Sequence, residues 1–407
     1  MNRERLLKIM KGIFTRLNDF NRKHNYKLSI VDFLDCIKFI FLFPISKIFF
    51  RYLKKQKIWI VAENPNEACD NGYIFYKYLK KEHPEINSYY IIKKGVKDYE
   101  KVIKLGNVIF YRSLKHWIYY LNADKIFVTQ KYANPSQALF YILHNMNIIK
   151  NNRIFLQHGV TKEDLLYFHY RKTKFNKFIC GAKREYEFIL KKFGYPYNSV
   201  VYTGFARFDN LSLEPNNSSE MILIMPTWRK WIFNVKEDYK YFEVYNNLVN
   251  NKKLINYLRQ NGYQINFVLH KNMKLYKERI KSNNNVIKIY NNEEIDIQEL
   301  LNKCRMLVTD YSSIAMDAAY RQIPVIYYQF DLKKFEKEHH KLEGSYFSYE
   351  KDGFGEIITN EEELVNKMID YCGKDFKIEE KYLNRMKVFF ERRDKKNCER
   401  IYLSCKD

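Results

Sequence analysis

Five short apolar runs in this chain are each followed at once by residues that move protons or bind anions. They are Gln157, His158 and Gly159 after RIFL; Gly204, Arg207 and Asp209 after VVYT; Pro226, Thr227, Trp228 and Arg229 after LIM; His270 after INFVL; and Asp310 to Ser313 after RMLV. An imidazole titrates near neutrality, so His158 suits a general base, and Gly159 beside it lets a substrate approach closely. His270 suits either a second proton-handling group or a neutral donor to phosphate. Arg229 and Arg207 carry the planar fork of donors that neutralises a diphosphate, although Asp209 is an available ion-pair partner for Arg207. Ser312 or Ser313 would cap a helix starting near Ile314, whose first-turn N–H groups and dipole make an anion site to which hydroxyls add donors.

Such residues work together only if a fold gathers them. In open α/β sheets the ligand lies outside the carboxyl ends of the strands, which is where all of these residues fall. From Lys57 the chain alternates β-rich runs with stretches of helix length: KIWIVAE, NSYYIIKK, GNVIFY, DKIFVT and RIFLQHG. After a helical link around Thr161 to Tyr170 the pattern resumes with KFICG, SVVYTG, MILIMPTW, INFVLH, NVIKIY, RMLVTD and IPVIYYQ. That alternation predicts an α/β fold of two doubly wound parallel sheets facing each other. The boundary is expected near Tyr170 to Phe175, with SLEPNNSSE (Ser212 to Glu220) a surface loop. Four segments follow: a helical N-terminal segment over 1–56, a Rossmann-like lobe over 57–172, a second over 173–385, and over 386–407 the end of a basic amphipathic helix that crosses back to the first lobe.

A length of 407 residues exceeds one ordinary core and suits two domains, and 46% hydrophobic with 17% aromatic residues supplies ample material to bury. The formal net charge of +24 attracts polyanions, anionic lipid surfaces or phosphorylated substrates without choosing among them. Seven scattered cysteines without a C-x-x-C predict neither a disulfide framework nor a zinc site, and fit a reducing cytoplasm. Met1 to Phe20 lacks the apolar core of a cleaved signal peptide. The run CIKFIFLFPISKIFFRYLKKQK (Cys36 to Lys57) is interrupted by Lys38, Pro44 and Lys47 and falls short of the roughly 20 apolar residues of a spanning helix. Followed by Arg51, Lys54, Lys55 and Lys57, it reads as an interfacial helix on an anionic leaflet, the other reading being a core helix over the first domain. No nucleotide-binding glycine loop, zinc-protease motif or nucleophile elbow is present. The adjacent His339 and His340 in EKEHHKLEG diverge on a helix or a strand, so no metal and no cofactor is expected.

The ordered set NEACDNGYIFYKYLK, LGNVIFYRSLKHWIYYLNADKIFVT, QHGV, GFARFD, PTWR, VLHKN, TDYSSIAMDAAYRQIPVIYYQFD and GSYFSYEKDGFGE, covering most of the chain, resembles the CDP-glycerol:poly(glycerophosphate) glycerophosphotransferase family. That family builds teichoic acids and related phosphate-linked capsule polymers. The resemblance implies a GT-B-like pair of lobes, the CDP-alditol donor held by the second, and peripheral attachment to the cytoplasmic face of the membrane, where a polyprenol-linked or phosphoglycerol acceptor waits. It implies that His158 deprotonates the acceptor hydroxyl, which attacks the distal phosphorus of CDP-glycerol and expels CMP. His270, Arg229, Thr227, Asp310, Ser312, Ser313, Arg207 and Gly204 fall on the donor side, and Gln157, Gly159, Asp70 and Asn71 on the acceptor side. Two departures stand out. Ala206 replaces the proline that commonly precedes the arginine of GFARFD, and DGFGE (Asp352 to Glu356) lacks a proline common near the end of the last motif.

Two other functions fit parts of the pattern. A GT-B glycosyltransferase using a nucleotide sugar would keep the fold and release a nucleoside diphosphate. A non-catalytic basic module for lipid or nucleic acid would need a continuous basic and aromatic track, whereas the aromatics here lie mostly inside apolar runs, so no nucleic-acid partner is expected.

Overall fold

The computed structural model describes residues 12, 13, 15, 16, 29–53, 57–130, 133–214, 219–233, 239–339 and 344–407. Two all-parallel sheets organise the chain. The first carries β1 (Ile58–Ala62), β2 (Asn87–Ile92), β3 (Val108–Phe110), β4 (Lys125–Val128), β5 (Asn152–Phe155), β6 (Lys177–Cys180) and β7 (Val200–Tyr202) in the order β3-β2-β1-β4-β5-β6-β7. The second carries β8 (Met221–Ile224), β9 (Gln264–Leu269), β10 (Ile287–Asn291), β11 (Cys304–Thr309), β12 (Val325–Tyr328) and β13 (Gly355–Ile358) in the order β10-β9-β8-β11-β12-β13. Each order reverses direction next to its first strand, the switch point where a crevice opens at the carboxyl ends. This is the GT-B-like architecture expected.

The strands are uninterrupted apolar runs because helices cover both faces of each sheet. In β1, Trp59 and Val61 join one apolar cluster while Ile58, Ile60 and Ala62 join the one behind it, the period-two alternation of a strand. The first of these clusters runs on through Leu223, Leu307 and Tyr327 of the second sheet, so the lobes share a continuous core.

Two expectations are corrected, and one strand is added. The boundary does not lie near residue 172: β6 and β7 complete the first sheet, and the chain passes to the second between Tyr202 and Met221, across the stretch read as a surface loop. The C-terminal run is two helices, Glu380–Phe389 and Asn397–Cys405, and the second one returns to the first lobe. There Asp209 accepts the N–H groups of Asn397 (3.0 Å) and Cys398 (2.7 Å), so this carboxylate caps a helix rather than pairing with Arg207. The DGFGE stretch opens an unforeseen strand, β13, with Gly355 beside Val325 of β12.

The helix Ile30–Leu53 starts six residues before the apolar run and packs one face on the helices Leu114–Asn122 and Gln137–Asn145. Cys36 and Phe39 are buried on that face, and Lys47 donates to the Leu121 carbonyl (3.3 Å). No helix among the described residues is long and apolar enough to cross a membrane. Most of 1–28, with Lys54, Lys55 and His340, lies outside the described residues.

Candidate functional site

On the second lobe the site is built around Asp310, which directly follows β11 and is wholly buried. One carboxylate oxygen accepts the N–H groups of Thr227 (2.9 Å) and Tyr311 (2.5 Å), and the other lies 2.8 Å from the Arg229 guanidinium. Arg229 is itself 0% exposed, forks onto Asp331 (2.8 and 3.0 Å) and donates to the Thr227 carbonyl (2.6 Å). Neither residue is presented to a ligand. This corrects the assignment of Arg229 and Asp310 to the donor phosphates: they lock the loop after β8 against the loop after β11. The loop so held offers Thr227, whose hydroxyl is enclosed without a partner among the described residues.

The helix Ile314–Arg321 follows directly. Ser312 makes only a long contact with the Ile314 N–H (3.4 Å), and Ser313 is exposed and makes no side-chain cap. Both hydroxyls therefore stand at a helix N-terminus with donors to spare, a setting suited to an anion.

On the first lobe β5 ends in a tight turn. Gln157 adopts the left-handed region (φ 58°), which throws His158 outward into solvent. Three buried side chains enforce the turn. Glu185 accepts from the Thr161 N–H (2.6 Å), the Gly181 N–H (2.6 Å) and Gln157 Nε2 (3.0 Å). Asn71 Nδ2 donates to the Gln157 carbonyl (2.8 Å), and Arg207 donates to the carbonyl of His158 itself (2.8 Å). Gln157 and Asn71 are thus scaffold, not acceptor contacts, and Asp70 is an ion-pair partner of Arg207 (2.9 Å). Burial pushes the Glu185 carboxyl up to about 7 against the pull of its N–H donors. Replacing Glu185 by Gln puts an N–H₂ against one of those donors. Turnover is expected to fall about tenfold with donor affinity unchanged, and unchanged turnover would show that the turn holds without it.

Gly159 carries the two lobes to the same point. A Cβ placed there would lie 3.2 Å from the Ser313 hydroxyl, so the His158 turn sits directly on the serine-led helix of the other lobe. Arg207 ties them: its guanidinium forks onto Asp317 (2.7 and 3.0 Å), one turn into that helix, while holding Asp70 and the His158 carbonyl on the first lobe. It is buried and fully engaged, which corrects its assignment to a phosphate and excludes a surface pair with Asp209. Ala206, in place of the proline, leaves the Arg207 N–H bonded to Asn71 (3.0 Å). Gly204 is also reassigned. At φ 83° it lies under Asn397, where a side chain would collide with the C-terminal helix.

His270, after β9, is half buried and near-stacked on Trp228 (centroids 6.1 Å apart). Its Nδ1 accepts the Asn272 N–H (3.2 Å), which leaves the ring proton on Nε2. Burial, with Lys271 alongside, lowers its pKa to about 4. A neutral imidazole with one outward donor suits a phosphate oxygen and not proton abstraction. His339 accepts the Lys230 N–H (3.1 Å), and among the described residues no group of His, Cys, Asp and Glu is set to hold a metal. The partners Asp317, Asp331, Glu185 and Lys162 escaped the sequence reading. Asp331 follows β12 and so carried the strand-end signal; the others lie inside helical or loop stretches.

The turn that carries His158 on one lobe abuts the hydroxyl-rich helix N-terminus of the other, so the two lobes meet in a cleft. The chain belongs to the CDP-Glycerol:Poly(glycerophosphate) glycerophosphotransferase family, whose profile matches residues 43–405. It is 34% identical over 378 residues to the minor teichoic acid biosynthesis protein GgaB of Bacillus subtilis (strain 168), an alignment that takes in 87% of this chain but 40% of GgaB. It is 22% identical to the teichoic acid glycerol-phosphate transferase of Staphylococcus aureus (strain NCTC 8325 / PS 47), over 86% of this chain and 92% of that protein. Among solved structures, the wall teichoic acid polymerase TagF superposes with a TM-score of 0.67 at 18% identity, over 94% of this chain and 98% of that one. Another TagF structure in the same fold was soaked with CDPG.

Proposed function

We propose that the protein transfers glycerol phosphate, or a related alditol phosphate, from a CDP-alditol to a hydroxyl of a lipid-linked or polymeric acceptor in teichoic acid or capsule synthesis. The observation that carries this is the approach of the His158 turn to Ser313 through Gly159. His158 takes the proton of the acceptor hydroxyl, whose oxygen forms a bond to the distal phosphorus. The phosphoanhydride bond breaks and the electron pair leaves with CMP. Ser312, Ser313 and the His270 Nε2–H donate to the phosphate oxygens, where donors fixed in advance lower the barrier as charge moves. The test is nucleotide release from CDP-glycerol, CDP-ribitol and nucleotide sugars, each with a short phosphoglycerol acceptor. CMP from one CDP-alditol supports the reading, and a nucleoside diphosphate from a sugar donor would replace it with glycosyl transfer.

The acceptor is met at an anionic membrane surface on the cytoplasmic side, through the outer face of the helix Ile30–Leu53. What supports this is a single apolar stripe: Ile30, Phe33, Leu34, Ile37, Phe41, Ile45 and Ile48 recur at three- and four-residue steps, all exposed, opposite the buried Cys36 and Phe39. The net charge of +24 adds attraction to anionic lipid. Phe41→Asp with Ile48→Asp is expected to weaken sedimentation with anionic vesicles by about tenfold or more, each lost side chain being worth roughly 1.5 kcal/mol of apolar burial. CMP release with a soluble acceptor should persist in that variant. Equal sedimentation of the variant would refute the contact.

A further inference from the structure

The charges already placed leave the cleft with an imbalance. Arg207 is one cation between the carboxylates Asp70 and Asp317, and Arg229 is one cation between Asp310 and Asp331. Each cluster is net negative, and a diphosphate arriving at the Ser312–Ser313 turn adds more negative charge. Lys271, beside His270, is paired with Glu67 across the cleft (3.1 Å).

One buried cation beside that turn makes no salt bridge among the described residues. Lys162, four residues after His158, is 6% exposed, and its ammonium donates to the Tyr349 hydroxyl (2.8 Å) and the Tyr311 carbonyl (3.4 Å). It lies over the Tyr349 ring (4.9 Å) and near that of Phe347 (5.7 Å). Its hydrogen-bond and ring partners among the described residues are neutral, and Tyr311 is the residue immediately before Ser312. Removing an ammonium from water without a counter-ion is costly, and burial lowers the Lys162 pKa although Glu163 and Asp310 act the other way. Lys162 has no anion in direct contact among the described residues, and one bound at the serine turn would add to the field of Asp310 and Glu163 through a low-dielectric floor, where a charge acts without contact.

We propose that Lys162 is the charge-balancing residue of the diphosphate site, taking the part the sequence gives to Arg207 and Arg229. The proposal rests on the phosphotransferase reading for the identity of the donor but not for the presence of a diphosphate site, and the test separates the two. CDP and inorganic pyrophosphate are the probes, with binding measured by calorimetry on the full chain for wild type, Lys162→Met, Lys162→Arg and Tyr349→Phe. Lys162→Met, which keeps a long apolar stem, is expected to weaken both probes about tenfold and to raise the KM for CDP-glycerol with little change in kcat. Lys162→Arg should stay within about threefold of wild type, since it restores the charge. Tyr349→Phe removes a neutral partner and should bind CDP at least as tightly as wild type, which decides the matter even if Lys162→Met fails to fold. Wild-type affinity in Lys162→Met, weaker CDP binding in Tyr349→Phe, or no binding of either probe to wild type would each overturn the proposal. Probe binding that depends on Lys162, in a protein releasing no CMP from CDP-glycerol, would sustain the site and retire the proposed donor.

Discussion

His158→Ala is expected to lower CMP release from CDP-glycerol by about a thousandfold while CDP affinity stays within about threefold of wild type. The separation follows from how the residue is held. Its carbonyl and its neighbours Gln157 and Thr161 are bonded into the first lobe by Arg207, Asn71 and Glu185, so the turn keeps its shape without the imidazole. The ring is exposed, so its removal opens no cavity and leaves no buried donor unpaired. Only proton transfer is lost. His270→Ala should behave differently, since a neutral ring donating through Nε2 stabilises phosphate in the ground state as well as in transfer, so KM should rise along with any fall in kcat. Steady-state kinetics with calorimetry on both variants separates the roles. Turnover in His158→Ala within tenfold of wild type would remove the base from this turn.

The fold was largely legible because a parallel sheet buried on both faces writes each strand as a bare apolar run. All twelve runs marked from Lys57 onward became strands. The missed strand, Gly355–Ile358, has only four residues and begins with glycine, whose small size lets the chain lie against Val325; nothing in GEII distinguishes it from a loop. The boundary was misplaced because β6 and β7 repeat the signal of the strands before them, and a strand run does not say which sheet it joins. At the site, strand-end position drew attention to His158, Ser313, Thr227 and His270, which follow β5, β11, β8 and β9. It could not tell a side chain that faces the cleft from one that braces it. Arg207 and Arg229 stand where a phosphate ligand would, yet each is enclosed by two aspartates distant in sequence, Asp317 lying 110 residues from its arginine and Asp331 lying 102. Lys162 shows the converse. A lysine in a polar loop is unremarkable until folding strips away its water and, among the described residues, gives it neutral hydrogen-bond partners.

Arg207→Ala distinguishes bracing from binding most sharply. If the guanidinium bound phosphate, its loss would raise KM and leave folding untouched. The structure instead gives it Asp317 at 5% side-chain exposure and Asp70 at 24%, and the variant strands both carboxylates and the His158 carbonyl. Removing one partner of a buried pair costs about 3–5 kcal/mol, because the remaining charge stays buried and alone. The melting temperature should therefore fall by roughly 4–6 °C. Arg207→Lys should recover only part of this, since a single ammonium cannot fork onto Asp317 while reaching Asp70. Adding Asp317→Asn to Arg207→Ala removes the more buried of the two stranded charges, and a double-mutant cycle should return a coupling of about 1–3 kcal/mol. The same bonds join the His158 turn to the helix that begins at Ile314, so folded Arg207→Ala should also turn over slowly at saturating donor. A variant with an unchanged melting temperature and only a raised KM would return Arg207 to the phosphates and leave the approach of Gly159 to Ser313 without its tie.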